Sequence, residues 1–86
     1  MPYVSMFFGI IIRMFHQEHN PPHFHAEYQG QRGMFDFDGK MVKGNLKSRR
    51  AKKLIEEWAT IHQTELWRNW EQAKQMEQID RIEPLN

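Results

Sequence analysis

The stretch of sequence that decides the fold is His23-Phe-His-Ala-Glu-Tyr-Gln-Gly-Gln-Arg-Gly-Met-Phe-Asp-Phe-Asp38. Apolar and polar residues alternate on both sides of Gly30, which is typical of two strands joined by a tight turn. Residues two apart on a strand share a face of the sheet. The pattern therefore predicts an antiparallel hairpin with one apolar face and one polar face that carries histidines and carboxylates.

A turn at Gly30–Gln31 sets the register that we expect for this hairpin. It pairs Phe24 with Phe37 on the apolar face, and it places His25 opposite Asp36 on the polar face. A shift of one residue would set phenylalanine against histidine, so the two alternating patterns agree on a single polar face.

The segment before this hairpin, residues 5–15, contains three consecutive isoleucines and several phenylalanines, which favours a strand. Gly9 is expected to mark a bulge or a close backbone approach within it. Alternation turns Ile12 and Met14 inward and brings Arg13 to the polar face. Two prolines in the following loop exclude a helix there and make the loop stiff.

The second half of the chain reads as helical after a short strand at residues 41–46. Ser48 is a suitable N-cap, and apolar residues then recur at helical spacing. A break is expected near residues 62–64, with Thr64 capping a second helix. The Trp58 and Trp70 side chains on this apolar stripe are expected to lie in the core.

These elements predict an α+β fold, with an antiparallel three- to four-stranded sheet followed by two C-terminal helices packed on one face. A chain of 86 residues fits a single domain, 1–86. We expect the sheet at about 4–46, the helices at about 48–77 and a C-terminal tail at 78–86.

Composition favours a cytoplasmic protein. The chain has no cysteine, so disulfides cannot stabilise it, which is consistent with a reducing compartment. The apolar run 6–14 contains Arg13 and is too short to span a bilayer. It also lacks the flanks of a signal peptide.

Basic residues are concentrated between Lys40 and Lys53, without an acidic residue among them, in a chain of formal net charge +1. Positive charge at a helix N-terminus opposes the helix dipole, which indicates that an anion binds here; a solvated helix face is the alternative. The residues expected to contact nucleic acid are Lys40, Lys43, Lys47, Arg49, Arg50 and Lys53.

Three histidines, His19, His23 and His25, lie within seven residues of one another and suggest general acid–base chemistry. RNA cleavage needs a base for the 2′-hydroxyl proton, an acid for the leaving oxygen and a cation for the charged phosphorane. Arg13 would supply the cation and Asp36 would orient an imidazole. This interpretation requires no metal and no cofactor.

Two alternatives remain open for the same histidines. Neutral imidazoles with a carboxylate could bind zinc or nickel, through His19, His23, His25 and Glu27. The chain has neither a His-Glu-x-x-His helix nor a cysteine pair to strengthen that interpretation. A face rich in histidine could instead dock a partner protein without any catalysis.

Several segments, spread over nearly the whole chain, together resemble the sequence pattern of one protein family. They are Met6-Phe-Phe-Gly-Ile-Ile-Ile-Arg-Met14, His19-Asn-Pro-Pro-His-Phe-His-Ala26, Gly44-Asn-Leu46, Glu57-Trp58-Ala59, Glu65-Leu66, Trp70 and Ile82-Glu-Pro-Leu85. Together they resemble a small bacterial family, domain-of-unknown-function family 4160. Glu18 stands where that family usually has aspartate.

The resemblance implies a cytoplasmic protein without an assigned activity. It also implies a small cognate partner protein, of domain-of-unknown-function family 2442, in a toxin–antitoxin arrangement. Because that partner type carries a DNA-binding part, the present chain would be the toxin-like member. A weaker similarity to RNA-cleaving toxins of the HicA type covers His23, His25 and Gly44-Asn-Leu46, but the Gly-Ser-His signature is absent.

Overall fold

The computed structural model of the chain describes residues 3–16 and 18–86. Its elements are β1 (Ser5–Phe7), β2 (Ile10–Arg13), β3 (Phe24–Tyr28), β4 (Gln31–Phe35), β5 (Met41–Gly44), α1 (Arg49–Ile61) and α2 (Gln63–Lys74). The five strands form one antiparallel sheet in chain order. The predicted α+β class and the two C-terminal helices are confirmed, and the sheet has one strand more than the largest number expected.

The extra strand arises because the segment expected to be one strand is a hairpin. Phe7 pairs with Ile10, and the two residues between them form the turn. Phe8 and Gly9 have φ values of 50° and 82° there. Two consecutive positive φ values match the right-handed twist of a two-residue hairpin. Gly9 therefore belongs to a turn, and of its two expected roles, a bulge or a close backbone approach, the bulge is wrong.

The β3–β4 hairpin turns one residue earlier than expected. Its two-residue loop consists of Gln29 and Gly30, which have φ values of 50° and 79°. Phe24 therefore pairs with Phe35, and the predicted pairing with Phe37 is wrong. The difference in register is two residues, an even number, so the predicted apolar and polar faces of the hairpin are retained.

The core lies between the apolar face of the sheet and the two helices. Trp58 is fully buried and packs edge-on against Phe24 at 5.6 Å between ring centroids. Trp70 is also buried and meets Phe37 edge-on at 6.2 Å. The prediction that both tryptophans belong to the core is confirmed, and the opposite face of the sheet is left half-buried to exposed.

Helix α1 begins where the sequence predicts. The Ser48 hydroxyl accepts a hydrogen bond from the Ala51 amide at 3.1 Å, which is the expected N-cap. The break is also confirmed, because α1 ends at Ile61, His62 caps it, and α2 begins at Gln63. Thr64 is not a cap, since α2 begins at Gln63 without a side-chain cap. Neither helix in the described part of the chain has the length and apolar character needed to cross a membrane.

The C-terminal tail docks on the domain. The Ile82 amide donates to the Val4 carbonyl at 2.9 Å, and the Ile82 side chain is buried. The Trp58 indole donates to the Glu83 carbonyl at 2.9 Å. The tail therefore lies beside β1 and completes the hydrogen bonding of a core tryptophan.

Candidate functional site

The polar face of the sheet carries an open groove of about 710 Å³. Strands β2 to β5 form its floor, because outward-facing residues alternate with core residues along each strand. The lining side chains are Ile11, Arg13, Phe15, His25, Glu27, Arg32, Met34 and Lys43. The groove therefore combines three cations, one carboxylate, one imidazole and an apolar strip.

Arg13 and His25 are direct neighbours in the β2–β3 pair, so the predicted polar face brings them together. The Arg13 guanidinium also donates to Glu27 Oε1 at 2.8 Å, and Arg32 Nε lies 3.9 Å from the same oxygen. Glu27 thus neutralises part of the positive charge and holds Arg13 over the floor. Lys43 is exposed at the other side of the groove.

The predicted partner of His25 in β4 is wrong. His25 pairs with Met34, because the hairpin turns one residue earlier than expected. Asp36 lies beyond the end of β4, where its Oδ1 accepts the amide protons of Asp38 and Lys40, each at 3.0 Å. Asp36 therefore stabilises the β4–β5 turn and does not orient an imidazole in the groove.

The carboxylate that does reach His25 belongs to Glu18. Glu18 Oε1 accepts a hydrogen bond from His25 Nε2 at 2.6 Å. The His25 side chain keeps 35% of its surface exposed and Glu18 keeps 26%, so solvent and ligands reach both groups. Phe15 meets the His25 ring edge-on at 5.0 Å and closes this end of the groove.

His23 lies behind His25 and is almost fully buried, with 6% of its side chain exposed. Its Nδ1 donates to the Pro21 carbonyl at 2.8 Å, and its ring packs against Trp70 at 5.4 Å between centroids. His23 Nε2 lies 3.5 Å from Glu18 Oε1. The alternation had predicted His23 on the exposed face, but it precedes β3 and the stiff loop turns it inward.

Glu18, His23 and His25 form a cluster in which one ligand atom of each lies within 4.8 Å of the others. His19 is exposed and does not belong to this cluster, and Glu27 is bonded to Arg13 instead. From the sequence, Glu18 was noted only as a departure from the family pattern and not as a site residue. The sequence nevertheless contained a hint of its role. Glu18 lies in the same proline-stiffened loop as His19, and a loop of this kind can fold back onto the strand that follows.

The basic segment divides into two parts. Lys40 pairs with Glu56, and this hydrogen bond raises the pKa of Lys40 above its usual value, so its charge is already compensated. The cations expected to contact nucleic acid at the start of α1 are exposed, and they are Lys47, Arg49, Arg50 and Lys53. Lys43, on β5, is the only cation of this predicted set that lines the groove among the described residues.

A family model described as Domain of unknown function (DUF4160) matches residues 9–71. The match includes the Glu18–His25 segment, strands β2 to β5, helix α1 and most of α2. Its description names no activity, ligand or partner. No match was found among curated proteins or among solved structures.

Proposed function

The chain belongs to the DUF4160 family, and from that premise and the geometry of the groove we propose that it is the toxin-like, cytoplasmic member of a two-gene module that binds and cleaves RNA. The observation that carries the proposal is the groove itself. It sets Arg13, Arg32 and Lys43 on one open face of the sheet and ends at the Glu18–His25 pair.

Charge supports an anionic polymer as the ligand of the groove. Three cations face one carboxylate, Glu27, so the floor keeps a positive excess. In the proposal, RNA that leaves the groove past Lys43 meets the exposed cations at the start of α1. A phosphate backbone follows such a track of positive charge, and the released counterions drive its binding.

The Glu18–His25 pair supports proton transfer at the end of this track. Because His25 Nε2–H donates to Glu18, the neutral ring carries its free lone pair on Nδ1. A carboxylate that orients one imidazole nitrogen while the other accepts a proton is a recurring general-base arrangement. His25 is the only one of the three motif histidines that lines the groove.

In the proposed reaction, His25 takes the proton of a ribose 2′-hydroxyl and the freed oxygen attacks the adjacent phosphorus. The O2′–P bond forms as the P–O5′ bond breaks, which leaves a 2′,3′-cyclic phosphate. The departing 5′-oxygen takes a proton from water, and Arg13 offsets the added negative charge on the phosphorane. The mechanism requires no redox step.

Expression of the chain alone tests the proposal. We expect growth arrest by the unaltered chain and recovery with His25→Ala, and we expect purified protein to yield RNA fragments that end in a cyclic phosphate. His16→Ala is the matched control, since His16 is another imidazole outside the groove. Arrest of equal strength by His25→Ala would contradict the proposal.

The apolar strip of the groove favours a protein partner on the same face. Ile11, Phe15 and Met34 are half-buried there without a helix over them. We propose that the cognate protein of the two-gene module covers this strip and excludes RNA. Addition of that protein should abolish RNA binding, and Phe15→Ala should weaken the complex. A ternary complex with RNA would contradict competition for the groove.

A further inference from the structure

We propose that Glu18, His23 and His25 form a binding site for a divalent transition metal ion such as Zn²⁺. One carboxylate oxygen and two imidazole nitrogens converge within 4.8 Å of one another. This set differs from the one that the sequence suggested, because Glu18 replaces His19 and Glu27. The three side chains come from the proline-containing loop and from the start of β3.

Two of the three separations between ligand atoms fit a small cation with little rearrangement, and the third, between the two imidazoles, is within 4.8 Å. Ligand atoms about 2.0–2.2 Å from a tetrahedral zinc lie about 3.3–3.6 Å from one another. Glu18 Oε1 and His23 Nε2 are 3.5 Å apart, and Glu18 Oε1 and His25 Nε2 are 2.6 Å apart. Opening the shorter contact by less than about 1 Å, through rotation of the partly exposed Glu18, accommodates the metal.

The hydrogen bond made by the other nitrogen of His23 prepares this ring as a ligand. Its Nδ1 donates to the Pro21 carbonyl, so in the neutral ring the lone pair is on Nε2. That nitrogen faces a Glu18 carboxylate oxygen at 3.5 Å. Both atoms then carry lone pairs, and neither carries a proton to share with the other. A metal ion between them would satisfy both, and a backbone carbonyl on the far nitrogen is the usual support for a metal-bound histidine.

Burial strengthens the argument that this is a defined site. His23 is held by Trp70 on one side and by the Pro21 carbonyl on the other. The two imidazole rings are nearly perpendicular, at 82° and 5.0 Å between centroids. Fixed ligands lose little conformational freedom on binding, which favours affinity. The exposed sides of Glu18 and His25 give an ion a path from solvent.

Two imidazoles and one carboxylate favour borderline metals over hard cations. Zn²⁺, Ni²⁺ and Fe²⁺ accept nitrogen ligands, whereas Mg²⁺ and Ca²⁺ prefer oxygen ligands in larger number. Three protein ligands also leave a position for water. The site does not depend on the proposed RNA cleavage, because metal binding is measured without RNA.

Titration calorimetry of the full, untagged chain with Zn²⁺ tests the site. We expect one ion per chain, and we expect Glu18→Gln and His25→Ala each to weaken binding by at least about tenfold. Mg²⁺ should give no comparable heat. Zn²⁺ should also raise the thermal midpoint of the unaltered chain, because a ligand that binds only the folded state stabilises it.

Matched controls separate the site from adventitious binding. His16→Ala removes an imidazole from the same part of the chain, and Glu71→Gln removes a carboxylate charge on α2; both should keep the affinity for Zn²⁺. His23→Gln serves as a third test, with circular dichroism to verify that the buried position tolerates it. Absence of Zn²⁺ binding, or equal loss in the His16→Ala control, overturns the proposal.

The two proposals fail separately. A ring that gives Nε2 to a metal carries its proton on Nδ1, so metal-loaded His25 cannot act as the base in the proposed cleavage. Zinc binding without any RNA cleavage leaves the metal site intact and removes the nuclease. RNA cleavage without zinc binding supports the nuclease and overturns the metal site.

Discussion

Glu18 and His25 are joined by a 2.6 Å hydrogen bond, although six residues, two of them prolines, lie between them along the chain. The loop between them turns back over the start of β3 and delivers a carboxylate to an imidazole on the open face of the sheet. This contact connects the groove to the buried His23. It is the feature on which both the proposed proton transfer and the proposed metal site depend.

The acidic residue in the groove should limit its affinity for RNA. Among the described residues, Glu27 is the one carboxylate that lines the floor next to Arg13 and Arg32. Glu27→Gln removes its charge, so we expect several-fold tighter binding of single-stranded RNA and a steeper salt dependence. Fluorescence anisotropy at several salt concentrations measures both. Glu71→Gln changes the net charge equally on α2, and it should leave the affinity nearly unchanged. Weaker binding by Glu27→Gln would show that orientation of Arg13 matters more than charge.

Lys43 should contribute to the same affinity. Lys43→Ala removes an exposed cation from the groove wall, so we expect several-fold weaker binding and a smaller salt slope. Lys74→Ala is the matched control, because Lys74 lies on α2 beside Glu71. Equal losses in the two variants would mean that net charge, and not the groove, governs binding.

The central tryptophan should dominate stability. Trp58 is fully buried against Phe7 and Phe24, so Trp58→Ala should cost about 3–5 kcal/mol of unfolding free energy. Trp58→Phe keeps part of the packing and should cost less. Trp67 has 48% of its surface exposed, and Trp67→Ala should cost about 1 kcal/mol or less. Urea unfolding compares the three variants, and similar losses would argue against a core centred on Trp58.

Two glycines with the same backbone conformation should respond differently to alanine. Gly30 and Gly39 have φ values of 79° and 84°. A Cβ at Gly39 would lie 2.5 Å from the Cα of Glu56 on α1, whereas a Cβ at Gly30 meets nothing within 4 Å. Gly30→Ala should therefore cost only the backbone term, about 1–2 kcal/mol, and Gly39→Ala clearly more. Equal midpoints in thermal unfolding would contradict the close approach of this loop to α1.

The two helix starts offer a further comparison. Ser48→Ala removes the hydrogen bond to the Ala51 amide and should cost about 0.5–2 kcal/mol. Thr64→Ala should be nearly neutral, because Thr64 lies inside α2 and makes no cap. Denaturant titrations of both variants check the difference. A larger loss of unfolding free energy from Thr64→Ala than from Ser48→Ala would support the N-cap at Thr64 that the sequence had suggested.

Local patterns in the sequence were sufficient to predict the architecture. Alternation in β3 and β4 identified the buried and exposed faces, because the period of a strand is a property of the backbone. The helical recurrence of Ala51, Ile55 and Trp58 identified the face of α1 that packs on the sheet. Ser48 identified the start of that helix, because its side chain is a suitable N-cap. Each of these signals lies within a few residues of the element that it predicts.

The turns were less predictable, and the pairing partners depended on them. Phe8 and Gln29 adopt positive φ without being glycine, so the composition did not mark them as first residues of their turns. A turn displaced by one residue changes every pairing in the hairpin by two, which moved Asp36 away from His25 while it preserved the faces. Sequence reasoning could identify which side chains share a face, but not which of them touch.

By itself, the sequence determined that strands precede helices, that Arg13 and His25 face away from the core, and that the tryptophans at 58 and 70 are buried. Only the tertiary structure decided that Glu18, rather than His19, meets His23 and His25. The physical reason is the range of the interaction. Periodicity follows from backbone geometry within each segment, whereas the direction in which a loop folds back is set by its packing against β3 and Trp70.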